Sequence, residues 1–236
     1  MTTKPLVTPE EHRMEAELRV CDPTKTDHTK DIESWRIFKI MAEFVSGFEI
    51  LRKYSLAVTF FGSARNAEGD PYYDAARELS GKLAKAGFTV ITGGAQGIME
   101  AGSRGAHDVG GRAVGLNIEL PSEQAANHYL TDGMTFNYFF IRKVMLSFAS
   151  EVYVFFPGGF GTLDELLEIL TLVQTRKIKR IPIILYGKAY WEPFTKLFEE
   201  HLYGTFKAID KEDLKLYKTV DSIEEAYNEV LDSVDC

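Results

Sequence analysis

The amino-acid sequence predicts an α/β fold: a doubly wound, mainly parallel sheet with helices on both faces. Short apolar runs alternate with longer helical patterns along most of the chain, the pattern of a parallel sheet covered on each side. Three of those runs end in glycine-bearing turns, after Phe61, Thr92 and Phe156. In open parallel sheets that edge, outside the carboxyl ends of the strands, is where ligands bind.

The elements follow in order. Residues 1 to about 32 are polar and aperiodic, a flexible arm or a short helix from Glu10 to Val20 followed by loop. From Trp35 to Leu51, apolar residues at Trp35, Ile37, Phe38, Ile40, Met41, Phe44, Val45, Phe48 and Leu51 predict an amphipathic helix. A face so wide requires cover, from the domain or from another subunit. Leu56–Phe61 reads as a strand and Gly62-Ser63-Ala64-Arg65 as its turn. A helix from Tyr72 to Ala86 stops at Gly87, and Phe88–Thr92 is the next strand. Gly93-Gly94-Ala95-Gln96-Gly97 turns into a helix from Ile98 to Val109, closed by Gly110-Gly111. Ala113–Ile118 is a strand, Phe136–Phe140 a short strand, and Arg142–Phe148 a helix. Glu151–Phe156 is a strand, and a helix runs from Thr162 to about Arg176. Ile181–Tyr186 is a strand, Trp191–Leu202 a helix, and Asp221–Leu231 the last helix. Residues 1–53 form an N-terminal extension and helix, and residues 54–236 one α/β domain.

Composition narrows the function classes. The chain has 236 residues and a formal net charge of -8, which argues against coating nucleic acid. Its two cysteines, Cys21 and Cys236, make neither a disulfide framework nor a zinc cluster and fit a reducing compartment. No signal peptide is read at the N-terminus, and no stretch approaches ~20 uninterrupted apolar residues. A cytoplasmic protein without membrane or nucleic-acid partners is expected. The histidines at 12, 28, 107, 128 and 201 are scattered, so no metal site is expected. There is no G-x-S-x-G elbow, no hydrolase triad and no P-loop.

The most informative stretch runs from Pro157 to Glu165. A buried strand, a glycine turn and a helix start aim bare backbone N–H groups at an anion. Thr162 adds a hydroxyl, and Glu165 lies in the first turns, suited to meet what a phosphate carries rather than the phosphate itself. For Asp164 and Glu168 the helix dipole is a sufficient explanation; Glu165 also stands three residues after Thr162, as in a capping box. Gly93–Gly97 does not match G-x-G-x-x-G, and a tight structural turn explains it equally well. Arg65 offers a guanidinium at the first turn, although a lone arginine is more often solvated. Arg142-Lys143 is a cationic pair among apolar residues, either exposed on an amphipathic helix or facing an anion. Adjacent helical residues point about 100° apart, so the two do different jobs, with Arg142 facing the site.

Assembled, these residues resemble the Lonely Guy family of cytokinin-activating phosphoribohydrolases, which are Rossmann-like. The family hallmark P-G-G-x-G-T-x-x-E is matched without a gap from Pro157 to Glu165. The upstream Arg-Lys pair matches Arg142-Lys143, the G-S turn Gly62-Ser63, and G-G-x-x-G-[IL]-M matches Gly93 to Met99. The resemblance covers about Leu56 to Trp191. Plant-type members carry polar residues where this chain has Phe139-Phe140-Ile141, and the long N-terminal extension is more like the larger bacterial branch. Family members were often labelled lysine decarboxylases, but no S-x-H-K cofactor-lysine motif is present, and no cofactor is expected.

The resemblance implies hydrolysis of a purine nucleoside 5′-monophosphate, AMP or a cytokinin-type nucleotide, to free base and ribose 5-phosphate. It implies Arg142 and Glu165 as catalytic residues. Gly62, Ser63, Gly94, Gly97, Met99, Lys143, Gly158, Gly159, Phe160, Gly161, Thr162 and Thr171 would bind substrate. A homodimer or higher homo-oligomer is expected. The alternative is a nucleotide or molybdenum-cofactor carrier without hydrolase activity, which needs the phosphate cradle but neither Arg142 nor Glu165.

Overall fold

The structure, a computed structural model, describes residues 34–120 and 126–234. The chain divides into two units, 1–38 and 39–236, and every strand among the described residues belongs to the second. The helix expected from Glu10 to Val20 lies outside the described residues.

Seven strands form one sheet in the order β4-β3-β2-β1-β5-β6-β7. They are β1 (Ala57–Phe61), β2 (Thr89–Thr92), β3 (Ala113–Ile118), β4 (Asp132–Phe136), β5 (Val152–Phe155), β6 (Ile183–Tyr186) and β7 (Lys218–Val220). Every neighbouring pair is parallel. Strand β1 is central, with Val58 in register with Val90 on one side and Val152 on the other. All five of its residues are buried, which is why it reads as a continuous apolar run rather than an alternating one.

Successive side chains of a strand point to opposite faces, and β1 divides its residues accordingly. Ala57 and Phe61 join the core that includes Ile141, Met145, Leu166, Ile169 and Trp191. Val58 and Phe60 join the core that includes Tyr73, Leu79, Leu83 and Ile98. The first face is covered by α1 (Ser34–Leu51), α4 (Phe139–Ser147), α5 (Phe160–Gln174) and α6 (Lys188–Lys196). The second is covered by α2 (Pro71–Lys85), α3 (Ile98–Asp108) and α7 (Ile223–Asp232). Each fully buried Phe, Leu or Ile in these layers contributes roughly 1.5–3 kcal/mol.

Local chemistry sets the helix starts. Asp70 caps α2, accepting from the N–H of Tyr72 and Tyr73, and Ser222 caps α7 by accepting from Glu225 N–H. Within the second unit α1 turns Ile50 and Leu51 into the core. It also lays Gly47 on Met145, where an added Cβ would fall 2.5 Å from the sulfur. Glu43 of α1 accepts hydrogen bonds from the backbone N–H of Asn137 at 3.1 Å and Tyr138 at 3.4 Å. These contacts fix the entry to α4, the helix that carries Arg142.

Three expectations need correction. The short strand placed at Phe136–Phe140 is β4, Asp132–Phe136, and Phe139 already begins α4. The helix expected from Trp191 to Leu202 begins earlier, at Lys188, and gives way at Leu197 to a π-helical segment through Thr205. Pro193 lies inside α6, where it cannot donate to the helical ladder. Strand β7 has no counterpart among the expected elements; three residues at the sheet edge, KTV, carry too little pattern to read.

Candidate active site

The three glycine turns converge. In the sheet order β1 lies between β2 and β5, so connections leave β1 to one side and enter β5 on the other, the switch point of an open α/β sheet. A cavity of about 990 Å³ opens there, within the range of small-molecule sites. Gly62–Asn66 after β1, Gly93 and Ala95 after β2, and Pro157–Leu163 after β5 line it. Asn117 and Ile118, Arg142 and Glu165 complete the inner wall, and Leu120, Phe139 and Phe160 also line it.

The turns brace one another through backbone. Ser63 N–H donates to Pro157 O at 3.0 Å, and Ile98 N–H donates to Ser63 O at 3.0 Å. Gly97 has φ +72°, and a Cβ there would fall 2.2 Å from Ser63 O. Glycine is required both by conformation and by this close approach.

At the β5 turn the glycines divide into two kinds. Gly158 is packed: a Cβ would meet Thr162 Oγ1 at 2.0 Å and the Gly62 carbonyl carbon at 3.1 Å. Gly159 and Gly161 are different, because an added Cβ would meet nothing within 4 Å and neither has positive φ. Neither protein packing nor backbone conformation demands glycine at these two positions. The open space leaves room for an anion to approach the backbone. Helix α5 begins here with Gly159 as its N-cap and no side-chain cap. Its leading N–H groups are therefore available to an anion.

Arg142 and Glu165 face this cavity from α4 and α5. Arg142 Nε–H donates to Leu116 O at 2.7 Å, and its guanidinium packs on Gly93, where a Cβ would lie 2.4 Å from Nη2. Burial lowers the Arg142 pKa, with Glu165 opposing; arginine stays charged regardless. Glu165 is only 5% exposed, and its Oε2 has no hydrogen-bond partner among the described residues. Burial pushes its pKa up to about 7, against the pull of Lys143 and Arg142. A buried carboxylate with an unmet oxygen at a cavity wall is costly unless something fills that role.

Of the residues that the sequence singled out, Gly62, Ser63, Met99, Arg142, Gly158, Gly159, Phe160, Gly161, Thr162 and Glu165 line the cavity together. Gly94 and Gly97 lie beneath it, against Asn117 and the Ser63–Ala64 backbone. Thr171 is exposed farther along α5 and donates to Leu167 O at 2.7 Å. Lys143 turns away from the cavity wall to three carboxylates: Asp164 at 2.5 Å, Glu168 at 2.7 Å and Glu165 at 3.6 Å. Sequence reasoning missed Tyr190 and Trp191. Tyr190 Oη–H donates to Gly158 O at 2.5 Å. Trp191 Nε1–H donates to Phe155 O and Tyr186 O, both at 3.1 Å. Together they clamp the β5 turn from α6. The signal was an aromatic pair beside a strand end, Tyr190 half-buried and Trp191 buried, which sequence alone does not separate from ordinary core.

Comparisons with known proteins point to one family. A family model described as "Possible lysine decarboxylase" matches residues 99–230. The cytokinin riboside 5′-monophosphate phosphoribohydrolase LOG of Oryza sativa subsp. japonica is 28% identical over 158 residues, 64% of this chain. That match spans 63% of the rice protein's own length. A cytokinin riboside 5′-monophosphate phosphoribohydrolase of Rhodococcoides fascians is 27% identical over 61% of this chain and 74% of its own. Among solved structures, TM1055 superposes with a TM-score of 0.57 at 26% identity, covering 76% of this chain and 99% of that one. The molybdenum cofactor carrier protein of Chlamydomonas reinhardtii superposes with a TM-score of 0.56 at 21% identity, over 75% and 96% of the two chains, and shares the fold. With more than half of its length matched by the family model, the chain belongs to the "possible lysine decarboxylase" family, that of the Lonely Guy proteins.

Proposed function

We propose that this protein is a phosphoribohydrolase that cleaves the N-glycosidic bond of a purine nucleoside 5′-monophosphate, AMP or a cytokinin-type nucleotide. The observation that carries the reading is the pairing of two features on one cavity wall. Gly159 and Gly161 leave open space at the start of α5, and Glu165 presents a buried, unpartnered carboxylate oxygen nearby on the same helix. The first accepts a phosphate; the second waits for a positive charge.

In the reaction the bond between C1′ and the base nitrogen breaks, and the electron pair leaves with the base. Positive charge builds on the ribose ring, and water adds to C1′. One water proton goes to the departing base. Glu165 stabilises the cationic ring and assists the attacking water, as carboxylates do in glycoside hydrolysis. With a pKa near 7 the carboxylate is about half ionised at neutral pH. Arg142 orients the substrate beside it. Gly62, Ser63, Met99 and Gly158–Thr162 form the binding surface.

The decarboxylase label of the family model has no counterpart in the donor set. No lysine lines the cavity among the described residues, so there is no amine for an aldehyde cofactor. The cytoplasm is the proposed compartment, on cysteine usage. We also propose a homo-oligomer. Met41, Val45 and Phe48 of α1 are exposed on one face, with Phe48 edge-on to exposed Phe148, an apolar surface that association would cover. Incubation of the purified protein with a panel of nucleoside monophosphates tests the activity, read as free base by chromatography. Release of base from at least one purine monophosphate is expected. Tight binding without release from any of them replaces the enzyme with a carrier.

A further inference from the structure

We propose that Lys143 is a positioning residue: from outside the cavity its ammonium favours the ionised form of Glu165. The inference rests on the hydrolase reading above and sharpens it.

Glu168 lies one turn on from both Asp164 and Glu165, four and three residues away, so its carboxylate neighbours each of theirs on α5. Three carboxylates so close repel one another, and each added negative charge favours protonation of the most buried one. Glu165 is that one. The Lys143 ammonium enters the cluster from α4, with its side chain 18% exposed and Nζ at 2.5 Å from Asp164, 2.7 Å from Glu168 and 3.6 Å from Glu165. An ammonium has three donor directions. One is taken by a hydrogen bond to Asp164, and Glu168 and Glu165 lie beside the ammonium as ion-pair partners. Three carboxylates surround the ammonium, and Lys143 is absent from the cavity wall while its neighbour Arg142 is on it.

The charged groups around Glu165 are few. From α4 come Arg142 and Lys143, and from its own helix Asp164 and Glu168. Tyr153 of β5 feels its charge but stays a neutral phenol, its hydroxyl donating to Leu146 O and Ser147 O. Burial works against the Lys143 charge, and its carboxylate partners outweigh that burial. Lys143 therefore remains a cation across the working pH range. Asp164 and Glu168 fix where the ammonium sits, and the ammonium restrains Glu165 from taking up a proton.

The test is the pH profile of base release by wild type, Lys143→Met, Lys143→Arg and Glu168→Gln. It is paired with the Glu165 carboxyl titration followed by carbon-13 NMR, assigned with Glu165→Gln. Removing an opposite charge at this range raises a carboxylate pKa by about one pH unit or more. Lys143→Met should move the acid limb of kcat/KM and the NMR titration upward together, with KM above the limb changed less than about twofold. At pH 7 the ionised fraction falls from about a half to about a tenth, roughly a fivefold loss in rate. Lys143→Arg should restore the limb. Glu168→Gln removes a like charge and should move it downward, which keeps the test decisive where Lys143→Met does not fold. A tenfold rise in KM with an unmoved acid limb makes Lys143 a substrate ligand and overturns the proposal, as does an unmoved titration in an active enzyme. Should the wild type release no base while the titration still moves, the electrostatic assignment stands and the hydrolase reading falls.

Discussion

Replacing Glu165 with glutamine should stabilise the fold while removing its function. The folded-state pKa is raised to about 7 from an ordinary 4.5, chiefly by burial. A raised folded pKa in an acid means that the folded state prefers the protonated form. The associated stability is fully present below pH 4.5 and is lost as pH rises through about 7. The difference of 7 − 4.5 is 2.5, and at 1.36 kcal/mol per pH unit the full loss is about 3 kcal/mol. Glutamine keeps the shape and carries no charge. The variant should therefore gain about 3 kcal/mol on wild type at pH 8 but only about 1 kcal/mol at pH 5, relative to their difference at lower pH. For a domain of this size ~1 kcal/mol moves Tm by about 2–4 °C, so the advantage at pH 8 is about 6–12 °C. Thermal and urea unfolding of both proteins at the two pH values measures it. An advantage that is equal at pH 5 and pH 8, or a variant less stable than wild type at pH 8, refutes the assignment of a desolvated carboxylate.

Gly161→Ala should separate folding from binding in the same way: no protein atom obstructs the new methyl. Alanine stabilises by about 0.4–1 kcal/mol where the conformation permits it, while nucleotide affinity measured by calorimetry falls at least about tenfold. Adenosine should be a far poorer substrate than AMP in the base-release assay, because the opening of α5 binds the phosphate; equal turnover of the two removes the role given to Gly159 and Gly161. Light scattering at micromolar concentration should report a dimer or larger, and a monomer counts against the apolar face of α1 as an interface.

Much of the fold was legible because buried parallel strands leave unbroken apolar runs. Val152–Phe155 and Ala57–Phe61 are fully buried, and helices follow them after glycine. The pattern failed where a strand had only one neighbour. In β4 the sequence DGMTF alternates half-buried and exposed positions before the buried Phe136, and Asp and Gly weaken any strand reading, so the apolar residues after Phe136 drew the assignment too far. At the site, glycine and carboxylate types marked the β5 turn and Glu165, which the structure brings to one cavity. The same letters did not tell which glycines face open space and which fill a tight contact. Gly97 and Gly158 are held by neighbouring protein atoms, whereas Gly159 and Gly161 face open space. Lys143 reads with Arg142 as one cationic pair, although the adjacency itself implies divergence. Only the packing of α4 on α5 sends one to the cavity and the other to the carboxylates.

The central claim is that Glu165 supplies negative charge to a cationic ribose. Single-turnover release of base from the best nucleotide, with binding measured separately, tests it most directly in wild type and Glu165→Gln. Charge needed mainly in the transition state affects rate more than affinity. The variant should bind the nucleotide within about threefold of wild type and release base at least about a hundredfold more slowly, the scale of a preorganised electrostatic group. A variant that releases base at close to the wild-type rate contradicts the claim.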